Sequence, residues 1–193
     1  MIVKYYTNRE LSHKLHVNLA KWKRWSREFL PPDPLGGLQS GYARQYNPDD
    51  AFTVFLGGHL VANFKYTIPE ARLILSDLQD WMVSSCFYFN YSGSAPKFAT
   101  ITHSVKHYQI YIFSVQNKNG FNSTFHYVIR GVLEEECLEQ RGSQVRQERF
   151  IEIELNSANE RIRPSNAESY HVLNMSVLRN NFLKLLQING SRE

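Results

Sequence analysis

The spacing of apolar residues changes period once along this chain, near Ser84-Ser85, and that change limits the possible folds more than any other feature. Before it, Leu11 and Leu15, Leu19 and Trp22, and then Ala71, Leu75, Leu78 and Met82 recur three or four apart, as on helices with one buried face. After it, residues 108–115 and 124–133 are β-branched and aromatic, and the Asn- and Gly-containing segment 116–123 between them completes a hairpin signature. Residues 150–155 alternate Glu with Ile151, Ile153 and Leu155, which suits a half-exposed edge strand. A helical period returns over 172–188 through Leu173, Val177, Leu178, Phe182, Leu185 and Leu186. The expected fold class is α+β. A helical domain over 1–84 is followed, over 85–193, by a small antiparallel-sheet domain with a C-terminal helix.

Start and stop signals divide the first domain. Thr7 and Glu10 have capping-box spacing and predict a helix from Asn8 that stops at His16-Val17-Asn18. Asn18 can cap a second helix, 19–29, with Leu19, Trp22 and Phe29 on one face, Trp25 or Ser26 at its edge, and Lys21, Lys23, Arg24 and Arg27 over much of the remainder. It must end before Pro31-Pro32, because proline lacks the amide and restricts the preceding residue. Residues 31–41 are rich in Pro and Gly and 42–46 alternate as a short strand would, so together they read as a hairpin. Asn47-Pro48-Asp49-Asp50 opens a third helix to about Asn63, weakened by roughly 1 kcal/mol at each of Gly57 and Gly58. Thr67 and Glu70 open a fourth, reaching about Trp81.

Charge is distributed unevenly. Residues 1–46 carry eight Lys and Arg against three Asp and Glu, an excess of five where the whole chain has an excess of four. A local surplus of this sort points to a polyanion-binding face. Two helices joined by a tight turn, the second one basic, form a helix-turn-helix pattern.

Other classes find little support. No apolar run approaches the roughly 20 residues needed to cross a bilayer, and the opening residues have no apolar core of an export signal. The expectation is a cytoplasmic protein without membrane contact. Cys86 and Cys137 stand in no metal-ligand spacing and read as buried apolar residues, while His103 and His107 sit four apart on a strand-like segment, too far for one metal. No nucleophile elbow, phosphate-binding loop or zinc-protease motif occurs, so neither catalysis nor a metal or other cofactor is expected. Glu134-Glu135-Glu136 and Glu139 read as a solvated turn. The aromatic residues after 85 could pack a sheet or line an effector pocket.

Five segments in order also resemble MerR-type winged helix-turn-helix transcription regulators, over about 80 residues. Tyr6-Thr7-Asn8-Arg9-Glu10-Leu11 looks like that family's opening helix, and residues 17–28 (Val-Asn-Leu-Ala-Lys-Trp-Lys-Arg-Trp-Ser-Arg-Glu) like its recognition helix. Leu30-Pro31-Pro32 matches the turn that ends it. Gly41-Tyr42-Ala43-Arg44-Gln45-Tyr46-Asn47-Pro48-Asp49-Asp50 is similar to the wing, and Phe64-Lys65-Tyr66-Thr67-Ile68-Pro69-Glu70-Ala71 to the entry of the fourth helix. Where the family carries a long dimerisation helix, this chain turns to strands.

The resemblance implies a prokaryotic, sequence-specific regulator that binds double-stranded DNA. Asn18, Lys21 and Arg24 would lie nearest the base edges, Lys23 and Arg27 towards flanking phosphates, and Arg44 and Tyr42 against the backbone. Trp22 and Trp25 hold the helix to its core. A homodimer is expected through 85–193, using the apolar face of Leu178, Phe182, Leu185 and Leu186, and a small-molecule or protein effector is possible. A winged-helix adaptor for proteins, or an excisionase-like architectural protein, is the alternative.

Overall fold

A computed structural model describes residues 5–33, 43–88, 105–116, 123–140, 143–155 and 170–187. The described residues form an α+β protein whose contacts group into two compact units, one of Met1–Ser94 with Leu178–Glu193, the other of Ala95–Val177. The expected division kept 85–193 together, whereas contacts place the chain from Leu178 onward with the helical unit.

The helical unit runs β1 (Tyr6–Thr7), α1 (Asn8–Lys14), α2 (Leu19–Phe29), β2 (Gln45–Tyr46), α3 (Pro48–Asn63) and α4 (Ile68–Ser84). Both expected capping boxes are present. The Thr7 and Thr67 hydroxyls accept from the amides of Glu10 and Glu70, whose carboxylates reach back to the threonine amides at 2.7 and 2.8 Å. The Asn47 side chain caps α3, with Pro48 in its first turn. The fourth helix continues one turn past Trp81 because no stop signal precedes Ser85. Cys86 is exposed, with φ of 55°, in the turn after α4, so it is not the buried residue expected. The side chain of Cys137 lies outside the described ones.

The short strand expected at 42–46 was paired, in the sequence reading, across the Pro- and Gly-rich loop. Its described part, β2, instead pairs antiparallel with β1, Tyr6 opposite Tyr46. Its partner Tyr6–Thr7, two residues running straight into α1, carries too little pattern to be read as a strand.

The other unit contains a four-stranded antiparallel sheet of order β5-β4-β3-β6, formed by β3 (His107–Gln116), β4 (Ser123–Gln140), β5 (Ser143–Leu155) and β6 (Tyr170–Asn174). The expected pairing of β3 with β4 is present, Ile110 opposite Ile129 and Ile112 opposite Tyr127, and with Leu173 these form a buried face. On the opposite face Arg130 pairs with Glu152 at 2.8 Å and lies over the rings of Tyr111 and Phe150.

Two sequence expectations fail here. Glu134-Glu135-Glu136 and Glu139 are not a turn but the continuation of β4, paired with β5 beyond an irregularity at Val132/Glu134. Cross-strand polar contacts accompany that pairing: Glu134 meets Arg149 at 3.0 Å, and Glu135 Oε1 stands 3.2 Å from His107 Nε2. An antiparallel ladder needs backbone partners, not an apolar face, so composition alone reads it as loop. The helix expected over 172–188 starts at Met175 as α5 (Met175–Leu186), because Tyr170–Asn174 pairs with β3 and the Asn174 side chain accepts from the Val177 amide.

The C-terminal part of α5 is covered by its own chain. Phe182 is fully buried, 5.2 Å from the Phe52 ring and 5.4 Å from that of Phe55, and Leu178, Leu183 and Leu186 are buried too. Arg179 donates to the Phe87 carbonyl at 3.1 Å. Of the apolar face expected to meet a second copy, Phe182 is thus packed on α3, and Leu178 and Leu186 are buried within the chain itself.

Burial and the neighbouring Glu70 push the Tyr66 phenol up to about 12. The unfolded chain ionises first, near its ordinary value of 10, so this contribution to stability is complete below that pH and is lost as pH rises towards 12. Urea denaturation at stepped alkaline pH should show stability falling across this window, and less steeply for Tyr66→Phe; an unchanged slope would remove Tyr66 as a cause.

Candidate nucleic-acid interface

The turn between α1 and α2 is closed by residues the helices do not need for packing. His16 adopts a left-handed φ of 52°, the Val17 amide donates to the Ser12 carbonyl at 3.0 Å, and the Ser12 hydroxyl donates to the Val17 carbonyl at 2.7 Å. Asn18 then caps α2, its side-chain oxygen accepting from the amides of Ala20 and Lys21. The oxygen of this expected base-contacting residue is thus used to start the helix.

Inward, α2 buries Trp22 and Ser26, four residues apart on one face. Trp25 and Phe29 lie half-buried against α3, at Gly58 and Gly57. A β-carbon at Gly57 would stand 2.6 Å from the Phe29 ring, and one at Gly58 would collide with the ring of Trp25. The glycines that weaken α3 locally are what allow α2 to approach so closely. Both tryptophans pack, as expected, instead of offering surfaces for base stacking.

A buried polar relay fixes α2 to the strand and to α1. The Tyr46 hydroxyl donates to Asn8 Oδ1 at 2.7 Å and, having one proton, accepts at 2.6 Å from the hydroxyl of Ser26. Tyr46 also stands edge-on to Trp22, ring centroids 5.8 Å apart. Burial raises the Tyr46 phenol above its ordinary value, with the hydrogen bond from Ser26 and the charge of Arg44 opposing, so it keeps its proton at neutral pH.

This relay positions the basic residues. The Arg44 guanidinium lies over the Tyr46 ring, 5.7 Å from its centroid, and beside it Lys23 and Arg27, one helical turn apart, line the same cleft of about 490 Å³. Among the described residues Asn8, Ser26, Tyr46, Pro31, Pro32 and Asp33 complete the lining, so of these residues three cations face it against one carboxylate. Lys21 and Arg24 are exposed on α2 but do not line the cleft. Tyr42 lies outside the described residues. At the C-terminal end of α2, Arg72 of α4 donates to the Glu28 carbonyl and carboxylate, placing a cation at the negative end of the helix dipole.

Asn8, Ser26 and Tyr46 were missed as contributors to this surface. The available signal was Ser26 itself, a lone polar residue at the inner edge of an apolar helix face, which asks for a buried partner. Among the described residues no three His, Cys, Asp or Glu side chains are grouped so as to hold a metal ion, and no helix is long and apolar enough to cross a membrane. Compared with models of known protein families the chain matches none, and no curated protein matches it in sequence.

Proposed function

We propose that this protein binds double-stranded DNA through α2 and the segment leading into β2, and acts in the cytoplasm as a sequence-specific transcription regulator without catalytic activity. The observation that carries the reading is the convergence of Lys23, Arg27 and Arg44 on one cleft beside an exposed basic helix. Three cations lining one cleft suit backbone phosphates, while Lys21 and Arg24, exposed on α2 but outside the cleft, remain for base edges. Recognition of two half-sites calls for a dimer. With α5 packed on α3, the contact to a second copy falls to the sheet unit, where Phe150, Tyr170 and Val172 are exposed. That unit is also where an effector would act.

A salt titration of duplex retention tests the reading. Each phosphate neutralised releases counterions, so loss of Lys23, Arg27 and Arg44 together should flatten the slope of log affinity against log salt by about 2.7. Lys21→Ala and Arg24→Ala should instead reduce discrimination between a selected site and random DNA, by about 1 to 3 kcal/mol for a bidentate contact. If the protein shows no salt-sensitive retention of duplex DNA at low ionic strength, the regulator reading is abandoned in favour of a protein-interaction scaffold.

A further inference from the structure

The end of α2, the start of α3 and the middle of α4 enclose a second cavity, of about 400 Å³. Phe29, Leu75 and the Tyr88 ring give it apolar walls, and the paired carboxylates of Asp49 and Asp50 also line it. The Tyr88 hydroxyl stands 3.4 Å from that of Thr53. Arg72, the cation among its lining residues, is engaged by the carboxylate and carbonyl of Glu28.

Negative charge predominates among these groups, since Arg72, the one cation among the described lining residues, is paired with Glu28. Burial raises the Asp50 carboxyl and Asp49 beside it adds to the rise, while Arg44 and the Asn47 amide oppose. Burial likewise raises the Tyr88 phenol, with the Thr53 hydrogen bond opposing and both aspartates adding. Two carboxylates and a phenol therefore share a partly desolvated space in which a positive charge is stabilised and a negative one is not. The size falls in the range of about 300–1,000 Å³ usual for small-molecule pockets.

We propose that this cavity binds a small organic cation, a protonated amine on a ring-sized apolar body, with the amine held by Asp49 and Asp50 and the ring against Phe29 and Tyr88. The cavity shares Pro31 with the basic cleft, but neither Asp49 nor Asp50 is among the residues lining that cleft, and the inference does not depend on DNA binding.

Phenethylamine is the probe, with 2-phenylethanol as its neutral counterpart, both titrated into the full chain while the amide resonances of Thr53, Ser76 and Gln79 are followed. The amine should give saturable shifts confined to this cavity, and the alcohol should bind at least about tenfold more weakly. Asp50→Asn keeps an oxygen for the Asn47 amide and removes the charge; combined with Asp49→Asn it should also weaken amine binding about tenfold. Should that pair fail to fold, Asp49→Asn alone, with unchanged melting temperature, is expected to shift the binding curve in the same direction. Absence of saturable shifts, an equal response to the alcohol, or amine binding indifferent to the aspartate substitutions would each overturn the proposal.

Discussion

Phe182→Ala is expected to destabilise the helical unit by about 3 to 5 kcal/mol, the range for truncating a fully buried aromatic. The ring has no solvent exposure and lies against Phe52 and Phe55 of α3, so its removal leaves a cavity inside that unit. Urea denaturation followed by tryptophan fluorescence reads the effect where it should occur, since Trp22, Trp25 and Trp81 all belong to the helical unit. A loss under 1 kcal/mol would mean that α5 does not support α3. The same packing implies that a fragment of residues 1–84, lacking α5, unfolds far more readily than the full chain.

Gly58→Ala should lower stability by about 1 to 3 kcal/mol, although alanine favours a helix by about 1 kcal/mol over glycine. The added carbon collides with the Trp25 ring, and either α2 moves away or the ring leaves its place. The cause can be separated from backbone effects by repeating the substitution in a Trp25→Ala background, where the collision is gone and alanine at 58 should be neutral or stabilising. If Gly58→Ala stabilises the protein with Trp25 present, close approach of α2 and α3 is not what the glycine serves. Duplex binding by Gly58→Ala is a second readout, because a displaced α2 takes Lys23 and Arg27 away from Arg44.

Local signals accounted for most of the helical unit. The caps at Thr7, Asn18, Asn47 and Thr67 act within three residues, and the proline stop after α2 acts within two, so each is visible in a short stretch of chain. What escaped depends on residues distant in sequence. Ser26 and Asn8 meet Tyr46 across 20 and 38 positions, and nothing at either end names the other. Gly57-Gly58 was visible only as a weakness, because its benefit lies in the rings that rest on it.

The sheet unit shows the limit of patterning. Strand β6 was absorbed into a helical period, since Val172, Leu173 and Val177 fit both spacings and only the capping Asn174 marks the border. The acidic end of β4 has no alternation to detect, and its partner Arg149 reads equally well as a loop residue. Of the residues expected at DNA, three meet in one cleft, two stand elsewhere on the same helix, Asn18 is used as a cap, and Tyr42 lies outside the described residues.

The return of α5 to the helical unit bears on how the protein is made. A ribosome delivers the chain in order, at roughly 5 to 20 residues per second, and domains contiguous in sequence can fold as they emerge. Here α3 has its aromatic contacts with Phe182 only after the whole intervening sheet segment has been synthesised. Until then Phe52 and Phe55 remain without that cover, and the unit carrying the basic helix is incomplete. A chain stalled within the sheet segment would thus carry Lys23, Arg27 and Arg44 without the packing that supports α3, so the helical unit completes its core late in synthesis.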